Sequence, residues 1–434
     1  MNTPWDVAAC RRRFPALERW AGSHEAVFFD GPAGSQVPQA VIDAMTDYLT
    51  HHNANHGGLF ATSRESDALL ESAHRAVADL VGCDDPQTTV FGANMTSLTL
   101  ALSRAIGRTW RPGDEVIVTR LDHDANVTPW VLAAQNAGAT VHHVDVRPDD
   151  CTLDLEQLRT LLSSRTRLVA VGCASNATGT INPVEQITRW AHEAGAEVFL
   201  DAVHYAPHAL LDVTAWNCDY LACSAYKFFG PHVGILWGRR ARLESLPAYK
   251  IRPAPDDLPG RWMTGTQNHE GIVGTLAAID YLAGLATARA PQHAGGADRG
   301  PSSSSHVGGS ESPRRQALRA AFEAIGRYEQ ALARHLLTRL AELPAVRVWG
   351  ITDSARLEER VPTVSITHER LPPAEVARRL AERGIFVWHG NYYALSLTEA
   401  LGLEPEGMVR IGLLHYNTAA EIDRLVEALA VLDR

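Results

Sequence analysis

Lysine is scarce in this sequence. The 434 residues include 38 arginines but only two lysines, Lys227 and Lys250. Arginine stays protonated, whereas a lysine amine can lose its proton and attack a carbonyl carbon, so a retained lysine is a candidate for imine chemistry. Lys227 lies in an apolar and aromatic stretch, residues 224–234, where desolvation favours the neutral amine. We therefore interpret Lys227 as a Schiff-base lysine, with a structural lysine that caps backbone carbonyls as the alternative.

Cysteine is confined to the first 223 residues of the chain. The six cysteines are Cys10, Cys83, Cys151, Cys173, Cys218 and Cys223. No CxxC pair or metal-like spacing occurs, so we interpret them as reduced, mostly buried residues and predict no metal site. Because none follows Cys223, the remainder of the chain offers no thiol.

Long hydrophobic runs and basic clusters are also missing. The formal net charge is −10, and no apolar run is long enough to span a membrane or to form the core of a signal peptide. We expect a cytoplasmic protein that binds neither nucleic acid nor membranes. The first strand is not followed by GxGxxG, which makes a dinucleotide-dependent dehydrogenase a poor alternative.

Strand-like and helix-like segments alternate along most of the chain. Short valine-, isoleucine- and leucine-rich runs separated by amphipathic segments are typical of a mostly parallel sheet covered on both faces. We predict an α/β fold with four parts: an N-terminal arm (1–25), a large domain (26–287), a flexible insertion (288–315) and a small C-terminal α+β domain (316–434). Two local predictions are a long loop over 51–63 and a helix over 208–215.

Polar residues follow the predicted strands at the edge where ligands bind in such sheets. Asp201 ends a buried strand, where an unpaired carboxylate is costly unless a cation meets it. A protonated pyridine nitrogen would satisfy it, and an aspartate on the ring nitrogen together with Lys227 is what pyridoxal 5′-phosphate (PLP) requires. The alternative for Asp201 is a helix cap or a surface loop.

Two further features would suit the same cofactor. Residues 89–97 form a short strand that enters a small-residue turn and then a helix, and the N-terminus of a helix is a natural phosphate seat. His123 follows another strand, where its imidazole could stack on a planar ring, although a lone histidine is more often a core or loop residue.

Eight motifs in order carry a resemblance to a known family. They are Asp30 with Gly31-Pro32-Ala33, Asn53-Ala54-Asn55, Asp122-His123-Asp124-Ala125-Asn126 with Pro129-Trp130, Ser175 to Pro183, Asp201-Ala202-Val203-His204, Ser224-Ala225-Tyr226-Lys227 with Gly230, Pro231 and Gly234, Gly265-Thr266-Gln267-Asn268, and Arg410 to Thr418. The chain resembles the class V aminotransferase and cysteine desulfurase family of fold type I PLP enzymes. The resemblance covers nearly the whole chain and implies a large domain with a mostly parallel, seven-stranded type of sheet.

The resemblance also implies roles for individual residues. Lys227 would bind the cofactor covalently, Asp201 would pair with its ring nitrogen and His123 would stack on the ring. Asn176 and His204 would flank the phenolic oxygen, although the family more often has glutamine at the position of His204. The remaining cofactor contacts implied are the phosphate ligands Met95, Thr96 and Ser224, Tyr226 before the lysine, and Thr266, which would reach the phosphate of the neighbouring subunit. Thr266 therefore implies a homodimer with shared sites.

Among the residues that would bind the substrate, one matches the family and one segment differs from it. Arg410 resembles the arginine that grips the substrate α-carboxylate, which implies an amino acid substrate; a surface ion pair is the alternative. Cysteine desulfurases of this type carry Arg-Thr-Gly-His-His-Cys where this chain has Trp388-His389-Gly390-Asn391-Tyr392-Tyr393. Tyr393 therefore replaces the cysteine that attacks sulfur, and we predict that Trp388, Asn391, Tyr392 and Tyr393 line the substrate pocket.

The missing thiol redirects the predicted reaction. A persulfide mechanism needs a reactive thiolate, so ordinary desulfuration is rejected. We predict α,β-elimination from a cysteine-derived or other β-substituted amino acid, in the manner of C–S lyases. The alternatives are transamination, epimerisation and a PLP-fold protein with a regulatory role. Tyr392 or Tyr393 could supply a second acid for elimination or epimerisation, or both could simply line the pocket.

Overall fold

The computed structural model describes residues 5–287 and 311–433. A seven-stranded sheet forms the centre of the larger part, in the spatial order Thr89–Gly92, Gly234–Gly238, Tyr220–Ser224, Glu197–Asp201, Thr166–Gly172, Glu115–Thr119 and Thr140–Val144. The Gly234–Gly238 strand runs antiparallel to both neighbours, and the other strand pairs are parallel. The prediction of a mostly parallel, seven-stranded α/β fold is confirmed.

Helices cover both faces of this sheet, because its strands are apolar on both sides. Two separate clusters of buried side chains lie on the two faces. The α-helices of this part of the chain are Val7–Arg11, Gln39–Asp47, Ala61–Val81, Met95–Gly107, Thr128–Ala137, Leu155–Leu161, Val184–Glu193, Val213–Trp216, Arg240–Ser245 and His269–Thr287. Short strands at Trp20–Ala21, His24–Glu25, Val27–Phe28, Val146–Arg147 and Thr152–Leu153 lie outside the central sheet.

Two local predictions were wrong in part. The predicted 51–63 loop is shorter, because a π-helix covers Tyr48–His52 and the next helix begins at Ala61. The predicted 208–215 helix is reduced to Val213–Trp216. Pro207 cannot donate a backbone hydrogen bond, and the chain around it forms turns in which the His208 amide donates to the Tyr205 carbonyl.

The C-terminal part builds a second, four-stranded sheet. Its spatial order is Val346–Trp349, Thr363–His368, Met408–Gly412 and Trp388–Gly390, all antiparallel. The helices of this part are Pro313–Leu340, Pro373–Ala381, Leu395–Ala400 and Ala419–Ala430. The 313–340 helix begins inside the stretch predicted as an insertion, because Ser312 caps it by accepting from the Arg315 amide at 3.0 Å. The rest of that stretch, 288–310, lies outside the described residues.

An N-terminal segment forms a separate two-stranded sheet with the C-terminal part. The Val27–Phe28 strand pairs in parallel with Ile385–Phe386, and Asp30 bridges to Gly412. Val27 and Phe29 are buried in the apolar core of the C-terminal part. The limits assigned to the four parts of the chain stay predictions. Within the described ranges, no helix is long and apolar enough to cross a membrane.

Candidate active site

A cavity of about 900 Å³ opens at the carboxyl ends of the parallel strands and is closed by the second sheet. Every residue predicted to bind cofactor or substrate lines it except Thr266. The members of that set are Met95, Thr96, His123, Asn176, Asp201, His204, Ser224, Tyr226, Lys227, Trp388, Asn391, Tyr392, Tyr393 and Arg410. Thr266 is exposed on the surface outside the cavity. The strand ends are brought together because parallel strands finish at one edge of the sheet.

Lys227 is a partly buried residue whose amine forms no ion pair with a carboxylate of residues 5–287 or 311–433. It lies in the 3₁₀ turn Ala225–Lys227 directly after the Tyr220–Ser224 strand, and its Nζ donates to the carbonyl of Pro32. Burial, assisted by the positive charge of Arg410, lowers the pKa of Lys227 to about 7. A large fraction of the amine is therefore neutral near neutral pH, as nucleophilic attack on an aldehyde requires.

Asp201 faces the same cavity from the neighbouring strand. Its Oδ1 accepts from the Val203 amide at 2.8 Å, and the residue is 8% exposed. Burial raises the pKa of Asp201 to about 6, against the lowering effects of that hydrogen bond and of Lys227. A carboxyl group held in this way is stabilised by a bound cation such as a protonated ring nitrogen.

A second buried carboxyl group lies beside it. Asp122 accepts from the Thr119 hydroxyl and from the Gly172 amide, both at 2.6 Å. Gly172 is the strand partner of Asp201, and burial raises the pKa of Asp122 to about 7. Asp122 was not predicted to have a role of its own; its place just after the Glu115–Thr119 strand was the only available signal.

The helix that begins at Met95 offers its N-terminus to the cavity. Asn94 caps the helix by accepting from the Ser97 amide, and Ser224 Oγ accepts from the Met95 amide at 3.1 Å. This close approach depends on Gly234, since a Cβ there would lie 2.3 Å from the backbone carbon of Asn94. The positive end of the helix dipole, next to a serine hydroxyl, suits a phosphate group.

His123 is a neutral imidazole with a defined proton position. Its Nδ1 accepts from the Ala125 amide at 3.0 Å, so the proton of the neutral ring is on Nε2. Burial, with the charges of Lys227 and Arg410, lowers its pKa to about 4. The ring stacks on Tyr393, with centroids 5.4 Å apart and planes 27° apart.

Arg410 is the cation of the substrate side. It lies in the Met408–Gly412 strand, is 4% exposed and donates from Nη1 to the carbonyl of Asn176 at 2.8 Å. Its guanidinium carbon lies 4.2 Å from the ring centroid of Tyr392. Arg410 Nε and Asn176 Oδ1 are both buried and have no hydrogen-bond partner in the described protein. The unpartnered Nε–H of Arg410 suits an acceptor such as a carboxylate, whereas the Asn176 oxygen suits a donor group of a ligand.

The loop that carries Tyr392 and Tyr393 is held in an unusual conformation. Both residues have positive φ, 55° and 61°, which costs roughly 1–3 kcal/mol each for residues with a side chain. The Asn176 amide group donates to the Tyr392 carbonyl at 2.9 Å, and the Asp124 amide donates to the Tyr393 carbonyl at 2.7 Å. The loop is thus attached to the larger part of the molecule through its backbone.

The two tyrosines of this loop differ in what they can do. The Tyr392 hydroxyl donates to the Met408 carbonyl, and burial raises its pKa, so it is engaged in packing under Arg410. Tyr393 is 72% exposed and stacks on His123. No thiol lines the cavity among the described residues.

Taken together, these residues fit PLP. The cavity has an amine that can form the imine and a buried carboxyl group that can pair with the ring nitrogen. It also has a helix N-terminus that can bind the phosphate and an imidazole that can stack on the ring. In the described part of the chain no cluster of histidine, cysteine, aspartate or glutamate could hold a metal ion. The fold and the site define a PLP-dependent enzyme.

Comparisons with known proteins agree with this class. The family model described as aminotransferase class-V matches residues 27–297 and 316–425, and the chain belongs to that family. The cysteine desulfurase of Dickeya dadantii (strain 3937) is 30% identical over 452 residues, covering 100% of this chain and 99% of that protein. The aminotransferase-like protein FGM3 of Gibberella zeae is 33% identical over 445 residues, covering 99% of each.

A solved structure extends the likeness to the fold. The apo structure of the cysteine desulfurase from Thermococcus onnurineus NA1 matches with a TM-score of 0.83 and 25% identity, covering 100% of this chain and 98% of that chain. The predicted family, the fold and the cofactor are therefore confirmed. The chain has the cysteine desulfurase type of fold with Tyr393 on the loop beside His123.

Proposed function

We propose that this enzyme catalyses PLP-dependent α,β-elimination from a cysteine-derived or other β-substituted amino acid, without a persulfide. The observation that supports this most is the composition of the cavity wall. It combines the amine of Lys227, the carboxyl group of Asp201 and the guanidinium of Arg410, while its described residues include no thiol. Chemistry at Cα is available in such a site, but sulfur transfer to a cysteine is not.

Substrate binding would be oriented by Arg410. Its planar guanidinium can form two parallel hydrogen bonds with a carboxylate, and burial strengthens such a pair. The remaining wall near Arg410 is aromatic, with Trp388 half exposed and Tyr393 mostly exposed. An α-carboxylate at Arg410 and an apolar or sulfur-containing β-substituent against these rings would fit this distribution.

Proton transfer would be carried out by Lys227, with His123 as a hydrogen-bond donor. Bound PLP would supply the electron sink that makes the Cα proton acidic. Lys227, with its lowered pKa, would take that proton as the general base. The bond from Cβ to sulfur would break with the electron pair on sulfur, and the ammonium of Lys227 would return the proton to that sulfur. The neutral ring of His123 would keep its Nε2 proton and donate a hydrogen bond to the leaving group. Water would then hydrolyse the released 2-aminoacrylate to pyruvate and ammonia.

The decisive experiment measures products from pure holoenzyme. We expect L-cysteine or its S-conjugates to give pyruvate, ammonia and sulfide or thiol in equal amounts. Lys227→Gln should abolish the reaction. Lys250→Gln is the matched control. Lys250 forms an ion pair with Asp256 at 3.1 Å and does not line the cavity, so its loss should leave the rate unchanged. Absence of all these products with every conjugate would refute elimination.

Transamination is the second candidate. It is favoured by the 33% identity to a relative named aminotransferase-like. The same samples distinguish it, because an amino donor would convert the bound cofactor to its pyridoxamine form with no release of thiol. Loss of optical activity without a keto acid would instead indicate epimerisation. A colourless protein that forms no reducible bond between PLP and Lys227 would support a regulatory role.

We also propose that the enzyme is a homodimer with sites shared between subunits. Large apolar side chains are exposed on two segments of the surface: Leu59 is 91% exposed, Phe60 58%, Tyr249 51% and Ile251 64%. Exposed apolar side chains of this size favour association, and the exposed Thr266 would reach the partner's phosphate. Light scattering should give twice the 47.2 kDa chain mass, and Leu59→Asp with Ile251→Asp should give monomers with weakened PLP binding. A wild-type monomer that retains PLP fully would refute this proposal.

A further inference from the structure

His204 meets a threonine from the second sheet. Its Nε2 lies 2.9 Å from Oγ1 of Thr363, the first residue of the Thr363–His368 strand. Thr363 is completely buried and His204 is 4% exposed. His204 also lines the cavity from the turn that follows Asp201. The contact therefore joins the wall of the cofactor cavity to Thr363, which was not predicted to take part in the site.

The hydroxyl proton of Thr363 decides how this contact is made. Within residues 5–287 and 311–433, the Thr363 hydroxyl has His204 Nε2 as its one hydrogen-bond partner. A buried hydroxyl without an acceptor costs about 1–3 kcal/mol, so Thr363 donates and Nε2 accepts. A neutral imidazole whose Nε2 accepts carries its proton on Nδ1. His204 Nδ1 forms no hydrogen bond with the described protein, which leaves it for a molecule in the cavity.

The surroundings keep this ring neutral and fixed. Burial lowers the pKa of His204 well below its ordinary value, and the positive charges of His208, Arg410 and Lys227 act in the same direction. His208 packs against the ring at 5.6 Å and 72°. His208 is itself held by a hydrogen bond of 2.8 Å between its Nδ1 and Glu329, and both residues are buried.

We propose that Thr363 is a positioning residue that fixes the tautomer of His204, so that His204 offers a neutral Nδ1–H donor to an acceptor oxygen of PLP. The glutamine that the family more often has at this position carries an amide N–H and needs no such help. A histidine can replace that donor only when its cavity-facing nitrogen carries the proton, and the Thr363 hydroxyl supplies this condition.

The first test is a pH titration of the visible absorbance of PLP bound to the holoenzyme. A hydrogen bond donated to an oxygen anion stabilises the anion, so its loss should move the titration midpoint upward, by about one pH unit. Thr363→Val should show this shift and Thr363→Ser should not. Thr367→Val is the matched control, because Thr367 lies on the same strand, bonds to Trp349 and does not line the cavity.

A double variant separates tautomer control from general disturbance. In a His204→Gln background the amide donor is independent of Thr363, so adding Thr363→Val should leave the midpoint unchanged. An equal shift from Thr363→Val in both backgrounds would overturn the proposal.

The second test needs neither cofactor nor substrate. In cofactor-free protein with ¹⁵N-labelled histidine, the long-range proton–nitrogen spectrum should show His204 protonated at Nδ1, and Thr363→Val should redistribute the proton toward Nε2. A wild-type signal protonated at Nε2 would refute the proposal. Because both tests read the cofactor or the histidine itself, their failure is distinct from failure to find elimination activity.

Discussion

Covalent binding of PLP to the cofactor-free enzyme should have a midpoint near pH 7. The reaction requires the neutral amine of Lys227, whose pKa is lowered from 10.5 to about 7. At pH 7 about half of the amine is neutral, whereas with the ordinary pKa only about one molecule in 3,000 would be. The enzyme should therefore bind PLP at pH 7 about a thousand times faster than an unburied lysine would.

The assay mixes cofactor-free protein with PLP between pH 5.5 and 9.5 and follows the absorbance of the bound cofactor, with borohydride trapping to identify Lys227. Butylamine, studied over the same range, corrects for the titration of free PLP. Two variants should move the midpoint in opposite directions. Arg410→Gln removes a cation that disfavours the ammonium and should raise it, whereas Asp201→Asn removes an anion that favours the ammonium and should lower it.

The result that would refute this reasoning is a midpoint near 10 in the wild-type protein, because burial would then not control the amine. Equal shifts of the same sign in the two variants would also contradict it, since the charges of Arg410 and Asp201 act on Lys227 with opposite signs.

Two further predictions concern the supports of the site. Tyr392→Ala should raise the KM for the amino acid up to about tenfold with little change in kcat, because the ring under the Arg410 guanidinium is lost. The control Tyr392→Phe keeps the ring and should stay close to wild type. A loss confined to kcat would contradict this role. Gly234→Ala should weaken PLP binding and lower thermal stability, because the new Cβ displaces the backbone of Asn94. The matched control Gly326→Ala, in an open position of the 313–340 helix, should preserve PLP binding and stabilise the fold by about 0.5–1 kcal/mol.

The central sheet could be predicted from the sequence because its strands are short, apolar on both faces and separated by polar turns. Glu115–Thr119 and Tyr220–Ser224 are strands of this kind, since every one of their residues is buried. The 208–215 helix could not be predicted correctly, because its side chains serve distant contacts: His208 bonds to Glu329 across 121 positions of the chain.

The residues of the site also divide into those that local sequence patterns indicate and those that depend on contacts between distant parts of the chain. Asp201 and His123 were found because they lie at or just after strand ends, and Lys227 was found because the chain has only two lysines. Thr363 left no signal in the sequence, since its role depends on where a strand of the second sheet lies against His204, 159 positions earlier. The hydrogen bond of the Tyr392 hydroxyl could not be predicted either, because it depends on a left-handed backbone conformation that no local sequence motif indicates.

The backbone hydrogen bonds that hold the 391–393 loop in place affect how the substrate range of this enzyme can change. Besides the stacking of Tyr393 on His123, two hydrogen bonds attach the loop to the larger part of the molecule, and both are accepted by backbone carbonyl oxygens, those of Tyr392 and Tyr393, which every amino acid has. Exchange of the Tyr393 side chain therefore alters the surface that meets the β-substituent and leaves these anchors in place. Selection, natural or in the laboratory, can explore new leaving groups at this position without rebuilding the closure of the cavity.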